Sequence, residues 1–300
     1  MSDIQDAISS LRKRYEQSYG FAVFDLEAEE KADRIVVRGK VLTRGQKAEA
    51  VSEMEKIAGK QGKEMEEDIR VLSDPASGEI GWAAVSAAVA DQKSRFVSNK
   101  IINERIRKRI CASQLKKGDV IRVLCVKEDQ LLGQSGDLTL GWTDLGDVEM
   151  KDGALRERWP AGTFAKSGEL LFAEEPAEKI IAQAEKFLGV RYALGAKSEE
   201  AIDCSGFTQS VYKGALNIIL PKHSWDQKKM GVPVDFSEAE TGDLVFLINK
   251  QKGTKHVGIW EKPGNIIHAS SLAGRVVRQN AEEAFGNYEA VEIRRIVGKK

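Results

Sequence analysis

The segment from residue 243 to residue 270 constrains the fold most, because short polar turns separate three apolar runs within it. The runs at 243–248, 255–260 and 265–270 have the length and the β-branched content of strands. Residues 261–264, Glu-Lys-Pro-Gly, have the composition of a hairpin turn between the last two runs. The segment therefore predicts an antiparallel sheet whose register is set by that turn.

Two histidines lie on the predicted hairpin. His256 and His268 are twelve residues apart, and their midpoint, Lys262, is inside the turn. In an antiparallel hairpin centred there, the two imidazoles oppose each other on one face, with Cβ atoms about 4.5–5.5 Å apart. Gly258 lies on the face of His256 and leaves room beside its ring. The spacing thus predicts a pair of contacting imidazoles.

A cysteine at a predicted helix start supplies a nucleophile for such a pair. Asp203 is a suitable N-cap, and Phe207 and Val211 are four residues apart on one helix face. Cys204 then lies in the first turn, where the positive end of the helix dipole favours the thiolate over the thiol. Backbone N–H groups at the same helix start are placed to stabilise an oxyanion. We therefore expect position alone to activate Cys204 in part.

These three residues form a catalytic arrangement that a structure can test. His256 would take the thiol proton, and His268 would hold the other ring nitrogen of His256 in the correct tautomer. Two other interpretations remain open: two unrelated histidines on a sheet, or a metal site built from Cys204 and both imidazoles. The metal site lacks an obvious fourth ligand and any closely spaced pair of ligands.

Four sequence blocks in this region resemble the NlpC-type cysteine peptidases. They are Asp-Cys-Ser-Gly-Phe at 203–207, Thr-Gly-Asp-Leu-Val-Phe at 241–246, His-Val-Gly-Ile-Trp at 256–260 and Ile-His-Ala-Ser-Ser at 267–271. The resemblance implies a papain-like α+β peptidase domain over residues 176–298 that acts on bacterial cell-wall peptides. It also implies Cys204 as nucleophile, His256 as general base and His268 as the third polar residue. No metal or organic cofactor is implied.

The resemblance extends to residues on either side of the nucleophile. The family's Tyr-x-Trp-Gly-Gly motif corresponds to residues 192–196, where Tyr192 keeps its place near the oxyanion and Leu194 replaces Trp. The family's Pro-Arg-x-Ser-x-x-Gln block corresponds to residues 221–227, where His223 occupies a variable position and is expected to be solvated. By the same resemblance, the residues that would hold the free amine and backbone of the peptide are Asp203, Ser205 and Ser224.

The first part of the chain predicts a small α+β unit. Ile4 and Ile8 recur at helical spacing, residues 34–42 alternate as a strand, and the segment that follows has helical periodicity. Residues 1–72 thus predict an αββα(β) unit, weakly similar to a bacterial BON domain. The turn-rich residues 73–78 mark its end.

A second unit lies between this one and the predicted peptidase domain. Residues 78–150 contain short strand-like runs with polar turns, and the run at 120–127 is apolar on both faces apart from Arg122. The Leu-Thr-Leu-Gly-Trp-Thr sequence at 138–143 resembles the strand that ends bacterial Src-homology-3-like (SH3-like) barrels. Residues 151–175 then read as a connecting segment. The expected fold class is therefore a multidomain α+β chain with an all-β SH3-like barrel in the middle.

Charge and composition narrow the range of partners. Lys plus Arg (46) equal Asp plus Glu (46), so no net charge favours nucleic acid or an anionic membrane. In the basic segment at 105–109, apolar alternation favours a half-solvated strand face over a nucleic-acid contact. No apolar run approaches the ~18–20 residues that span a bilayer, and no secretory signal is visible. We therefore expect a cytoplasmic protein, with envelope association by an unrecognised route as the alternative.

The leading functional hypothesis is a cysteine peptidase that cleaves γ-D-glutamyl–diamino acid bonds in murein-derived peptides through a thioacyl-enzyme. An amidase or acyltransferase using the same triad is one alternative, and a non-catalytic protein that binds cell-wall peptides is another. The barrel is expected to close one end of the groove, which would restrict substrates to peptides with a free N-terminal amine. A barrel that only tethers the enzyme would leave the groove open.

Overall fold

The computed structural model describes residues 3–19, 23–74, 80–98, 110–151, 153–160 and 162–300. The basic segment at 105–109 and most of the turn cluster at 73–78 lie outside the described residues. The α-helices in the described ranges are α1 Asp3–Tyr19, α2 Arg44–Lys60, α3 Pro176–Glu185, α4 Cys204–Leu216, α5 Ser224–Gln227 and α6 Ala281–Asn287. None of them is both long and apolar enough to cross a lipid bilayer.

The strands fall into three larger sheets and two small ones. The strands of the first two larger sheets are β1 Phe24–Glu30, β2 Arg34–Val41, β3 Glu64–Val71, β4 Gly81–Val85, β5 Val89–Lys93, β6 Cys111–Lys116, β7 Val120–Lys127, β8 Gln130–Ser135, β9 Leu140–Asp144 and β10 Val148–Lys151. The remaining strands are β11 Thr163–Phe164, β12 Leu171–Ala173, β13 Arg191–Tyr192, β14 Ala201–Ile202, β15 Ile218–Ile219, β16 Val232–Val234, β17 Leu244–Asn249, β18 Lys255–Glu261, β19 Asn265–Ser270, β20 Arg275–Asn280, β21 Tyr288–Arg295 and β22 Val297–Lys299.

The first unit is a three-stranded sheet in the order β1-β2-β3, against which α1 and α2 pack. The residues that the two helices bury are those spaced as helix faces in the sequence: Ile4, Ile8, Leu11, Ala50 and Met54. Thr43 fixes the start of α2, because its hydroxyl accepts the N–H of Gln46 while the Gln46 side chain accepts the N–H of Thr43. The predicted helical periodicity and the strand at 34–42 are confirmed in this unit.

The middle unit is a seven-stranded sheet in the order β10-β4-β7-β8-β9-β5-β6. β7 is buried over most of its length, as its apolar sequence predicts. Arg122, the polar exception, is only 1% exposed. Its guanidinium donates to the backbone oxygens of Leu72 and Asp74 and to the side-chain oxygen of Gln134. This arginine therefore ties the end of the first unit to the middle sheet.

Residues 151–175 contact the middle sheet and the C-terminal unit. Trp159 is buried against Trp82 of β4 with 5.7 Å between ring centroids, and its Nε1–H donates to the backbone oxygen of Gln134. Farther along, β11 pairs with β15 and β12 pairs with β22, both in parallel. The connecting segment thus holds the two units together.

The C-terminal unit is an eight-stranded sheet in the order β14-β13-β20-β19-β18-β17-β21-β16. Helices α3 and α4 pack on it through a core that contains Ile180, Phe207 and Phe246. Pro176 occupies the first position of α3, where the missing N–H of proline costs no helical hydrogen bond. The three strands predicted over 243–270 are confirmed as β17, β18 and β19. The chain as a whole is of the mixed α and β class.

The hairpin between β18 and β19 is not centred where the sequence predicted. Ile259 pairs with Ile267, so the turn is centred on Pro263 and not on Lys262. A turn centred on Lys262 would bring Pro263 into the ladder opposite Glu261. Proline has no N–H to donate there, so the ladder ends with the pair Glu261 and Asn265 and leaves Pro263 in the turn.

This register changes how the two histidines meet. Continued along the strands, it puts His268 opposite Gly258 and leaves His256 diagonal to His268 on the same face. The predicted direct opposition is therefore wrong, although the shared face is correct. A Cβ on Gly258 would lie 3.1 Å from Cβ of His268 and 2.7 Å from Cγ2 of Ile266. The close approach of the two strands at this point thus requires glycine.

Candidate active site

Cys204 is the first residue of α4 and is 9% exposed. The Asp203 carboxylate caps the helix, as predicted, by accepting the N–H of Gly206 at 2.6 Å. The backbone N–H of Val257, on β18, faces the sulfur. Because Val257 directly follows His256 in the chain, the thiol lies beside the backbone of the predicted base.

Burial decides the resting protonation of these groups. Burial, with a smaller contribution from the Asp203 carboxylate, raises the pKa of Cys204 to about 12. Removal from water thus opposes the partial activation expected from the N–H groups at the helix start. Burial also lowers the pKa of His256 well below its usual value and that of His268 to about 4. The resting site consequently contains a neutral thiol and two neutral imidazoles.

The two imidazoles contact each other directly. Nε2 of His256 is 2.7 Å from Nδ1 of His268, and the ring centroids are 5.0 Å apart with 72° between the planes. Nε2 of His268 is 3.2 Å from Oε1 of Gln279, on β20. The structure thus brings the predicted base and its predicted partner together. It also adds Gln279, for which no motif in the sequence was a signal.

Two tyrosines flank the histidine pair and the nucleophile. Tyr288, at the start of β21, stacks on His256 with 5.0 Å between centroids and 20° between planes. Its hydroxyl is buried and has no hydrogen-bond partner among the described residues. Tyr192 is half-buried at the end of β13, and burial together with the neighbouring Cys204 raises its pKa. Tyr192 therefore keeps its proton and is able to donate it in a hydrogen bond.

The predicted substrate-binding residues have different surroundings. Asp203 is buried, and its carboxylate accepts the N–H of Gly195 at 2.8 Å and the hydroxyl of Ser205 at 3.1 Å. Nζ of Lys222 lies 3.5 Å from the same carboxylate. Ser224 is half-buried at the start of α5. Asp203 and Ser205 are thus hydrogen-bonded to each other at the helix start, and the Asp203 carboxylate already organises the loop that precedes Cys204.

Gln227 connects α5 to the nucleophile helix. Its side-chain oxygen accepts the hydroxyl of Thr208 at 2.7 Å, and its amide group donates to the backbone oxygens of Ser205 and Pro221 at 3.2 and 2.9 Å. It is the last residue of the block at 221–227, so the sequence contained a signal for it. This amide fixes α5 beside the first turns of α4.

The middle sheet reaches the nucleophile helix through one carboxylate. Asp137, in the turn between β8 and β9, is 2.8 Å from Nζ of Lys197 and accepts Nε2 of Gln209, on α4, at 3.1 Å. Burial alone would raise the pKa of Asp137, but the Lys197 ammonium holds it well below its usual value. The backbone oxygen of Cys111 lies 2.8 Å from where a Cβ on Gly195 would be. The middle sheet therefore packs against both α4 and the loop before it.

The surroundings of the two histidines bear on the metal interpretation. Within the described ranges, no group of three or more His, Cys, Asp or Glu residues could hold a metal ion. Both ring nitrogens of His268 already face protein side chains, those of His256 and Gln279. This geometry favours a hydrogen-bonded chain over the metal interpretation.

Comparisons with known proteins point to the same part of the chain. The family model described as NlpC/P60 family matches residues 189–295, which include Cys204, His256 and His268. The murein DD-endopeptidase MepS/murein LD-carboxypeptidase of Escherichia coli K12 is 34% identical over 121 residues, which cover 40% of this chain and 63% of that protein. A probable endopeptidase of Haemophilus influenzae is 32% identical over 115 residues, which cover 38% of this chain and 71% of that protein.

A third relative has a different name and a shorter shared region. The gamma-D-glutamyl-L-lysine dipeptidyl-peptidase of Bacillus cereus is 36% identical over 110 residues, which cover 36% of this chain and 32% of that protein. The chain spans only 63% of the length of the Escherichia coli relative. The regions of similarity amount to less than half of this chain in all three cases.

Proposed function

The chain belongs to the NlpC/P60 family, and from that premise we propose that it is a cysteine peptidase that hydrolyses γ-D-glutamyl–diamino acid bonds in murein-derived peptides. One observation carries the proposal. A buried thiol at a helix start lies beside the backbone of a histidine whose ring is hydrogen-bonded to a second histidine. Relatives named as a murein endopeptidase and a gamma-D-glutamyl-L-lysine dipeptidyl-peptidase support the substrate class.

The first chemical step starts from neutral groups. Cys204 gives its proton to Nδ1 of His256, because Nε2 of that ring already faces His268. The sulfur then attacks the γ-glutamyl carbonyl carbon, and the C=O electron pair moves to oxygen. Thiolate and imidazolium form together, so each charge stabilises the other in a site with little water. The N–H groups at the start of α4 and the Tyr192 hydroxyl stabilise the oxyanion.

The remaining steps return the enzyme to its starting state. His256 gives its proton to the amine of the diamino acid, the C–N bond breaks, and the γ-glutamyl group stays on Cys204 as a thioester. Water attacks the thioester carbonyl and transfers a proton to His256. The C–S bond then breaks, and the thiolate recovers the proton from His256.

We assign the middle sheet to an SH3-like barrel that closes one end of the groove of a papain-like domain. The backbone of Cys111 packs closely against Gly195, in the loop before the nucleophile, and this packing supports the closed end. The Asp91 carboxylate is 3.8 Å from Sγ of Cys111, and the Asp203 carboxylate is close enough to raise the pKa of the same thiol. Two carboxylates near the closed end favour a substrate that presents a free ammonium there.

Mass spectrometry of purified muropeptides, before and after incubation with the protein, tests the proposed reaction. We expect products cut between D-Glu and the diamino acid, and no products with Cys204→Ala. Cleavage of a free L-Ala-γ-D-Glu-diamino acid peptide should be much faster than cleavage of its N-acetylated form. Unchanged muropeptides, or cleavage by Cys204→Ala, would refute the peptidase. Equal rates on the two peptides would refute the closed end alone.

A further inference from the structure

We propose that Gln279 is a positioning residue that sets the tautomer of both active-site histidines. The inference rests on the proposed function only in giving His256 the role of base. His256, His268 and Gln279 form a diagonal row across β18, β19 and β20, since Gln279 pairs with Ile266, two residues before His268. The row is continuous, with separations of 2.7 Å between the rings and 3.2 Å from ring to amide.

The order of donors and acceptors follows from the last member of the row. A neutral imidazole has one N–H and one lone pair. The Gln279 amide is oriented with its oxygen, which only accepts, 3.2 Å from Nε2 of His268, so in this orientation Nε2 carries that ring's proton. Nδ1 of His268 then has the lone pair and accepts the Nε2–H of His256. This leaves the lone pair of His256 on Nδ1, the ring nitrogen that does not contact His268 and is therefore the one available to take the thiol proton.

The opposite order of donors and acceptors would prevent the transfer of the Cys204 proton to His256. If the end of the row donated a proton, His268 would carry its hydrogen on Nδ1, and His256 would carry its hydrogen on its own Nδ1, the nitrogen proposed to accept the thiol proton. Two hydrogen-bond donors would then meet, and no base would be available for the thiol. His268 is 0% exposed, so bulk solvent does not supply a competing acceptor. The acceptor at position 279 therefore decides whether the site can start its reaction.

Nitrogen NMR of the full chain with ¹⁵N-labelled histidine measures this order directly. The sequence has three histidines, and the exposed His223 serves as an internal reference. Two variants are informative. The carboxylate of Gln279→Glu only accepts hydrogen bonds, and the side chain of Gln279→Met neither donates nor accepts a strong one. The matched control is Gln251→Met, which removes the same amide from an exposed turn between β17 and β18.

We expect wild type, Gln279→Glu and the control to hold both active-site rings as Nε2–H tautomers. Gln279→Met should populate the Nδ1–H tautomer and lose about 10- to 100-fold in kcat with little change in KM. Gln279→Glu should move the acid limb of the pH–rate profile to higher pH, because a carboxylate raises the pKa of His268. The change of tautomer in Gln279→Met is the measurement that a merely structural role would not move.

Two results would overturn the inference: Gln279→Met with wild-type tautomers and wild-type kcat, or Gln279→Glu with Nδ1–H tautomers and an unmoved acid limb. The second result needs only Gln279→Glu, so it can be obtained even if Gln279→Met does not fold. The NMR measurement also separates this inference from the proposed function. Tautomers that respond as expected in a protein that cleaves no muropeptide support the role of Gln279 and refute the peptidase.

Discussion

Replacing Asp137 with alanine tests whether one buried carboxylate holds the middle sheet to the nucleophile helix. The side chains of Asp137 and Lys197 are 10% and 16% exposed, so their ion pair is largely removed from water. The carboxylate also accepts Nε2 of Gln209 at 3.1 Å, the hydroxyl of Ser135 at 2.7 Å and the N–H of Thr139 at 3.1 Å. All of these partners lose this acceptor in the variant, although Ser135 and Gln209 have others.

Removal of one partner of a buried ion pair costs about 3–5 kcal/mol, because the other charge is left without compensation. We expect Asp137→Ala to lower the free energy of unfolding by about that amount at pH 7. The double variant Asp137→Ala/Lys197→Met should lose less than the sum of the single variants, since it removes both charges.

The pH dependence has a definite sign. The folded-state pKa of Asp137 lies below its unfolded value of about 3.9. Its contribution is therefore fully present above about pH 4 and is lost as pH falls through the folded-state pKa. Wild type should thus lose more stability than Asp137→Ala as pH decreases below about 4.

Urea unfolding of the full chain, followed by tryptophan fluorescence, provides the free energies. Glu149→Ala is the control, because Glu149 is an exposed carboxylate paired with Lys151 on the middle sheet and should cost less than about 1 kcal/mol. A loss of unfolding free energy for Asp137→Ala no larger than that of this control would refute the role of the buried carboxylate. A double variant that loses the full sum of the two single-variant losses would refute the coupling of the ion pair.

His256→Ala should abolish turnover, whereas His268→Ala should keep residual kcat because the base remains; the reverse order would exchange their roles. At pH 7, iodoacetamide should alkylate Cys204 more slowly in the native protein than in the urea-unfolded protein, because burial raises the thiol pKa. The alkylation rate of native Cys204 should still rise above pH 9. Peptide mapping follows this rate, and a plateau below pH 8 would demonstrate a resting thiolate. Arg122→Met should speed hydrogen exchange in the first unit, because the lost hydrogen bonds contribute about 3 kcal/mol to its stability. Arg38→Met is the control, because Arg38 is exposed, and it should leave the exchange unchanged. Equal exchange in both variants would contradict the role of Arg122.

Local patterns predicted much of the site because they act over a few residues. Asp203 caps α4 where the sequence places an N-cap, and strand alternation alone puts the two histidines on one face. The hairpin centre was missed by one residue, although the reason is local: Pro263 has no N–H for the ladder. A turn's composition indicates its place in the chain more reliably than its centre.

Other features depend on packing between distant segments and have no local pattern. Gln279 reaches the histidines from β20, and Asp137 reaches α4 from the turn between β8 and β9. Alternation shows which face a side chain occupies, but not which neighbour it contacts across two strands. The raised pKa of Cys204 has the same origin, because the helix dipole is local while burial depends on the whole domain.

Gly258 offers a criterion for interpreting the genes of related chains. Any side chain at this position would press on the strand that carries His268, at 2.7 Å from Ile266 and 3.1 Å from Cβ of the histidine. A gene duplicate that keeps the cysteine and both histidines, but encodes a larger residue here, is therefore expected to be a pseudoenzyme. A larger residue here displaces β19 and with it His268, a change that ligand binding tolerates more easily than catalysis does. A substitution there would then mark a paralogue that has changed from cutting its ligand to holding it.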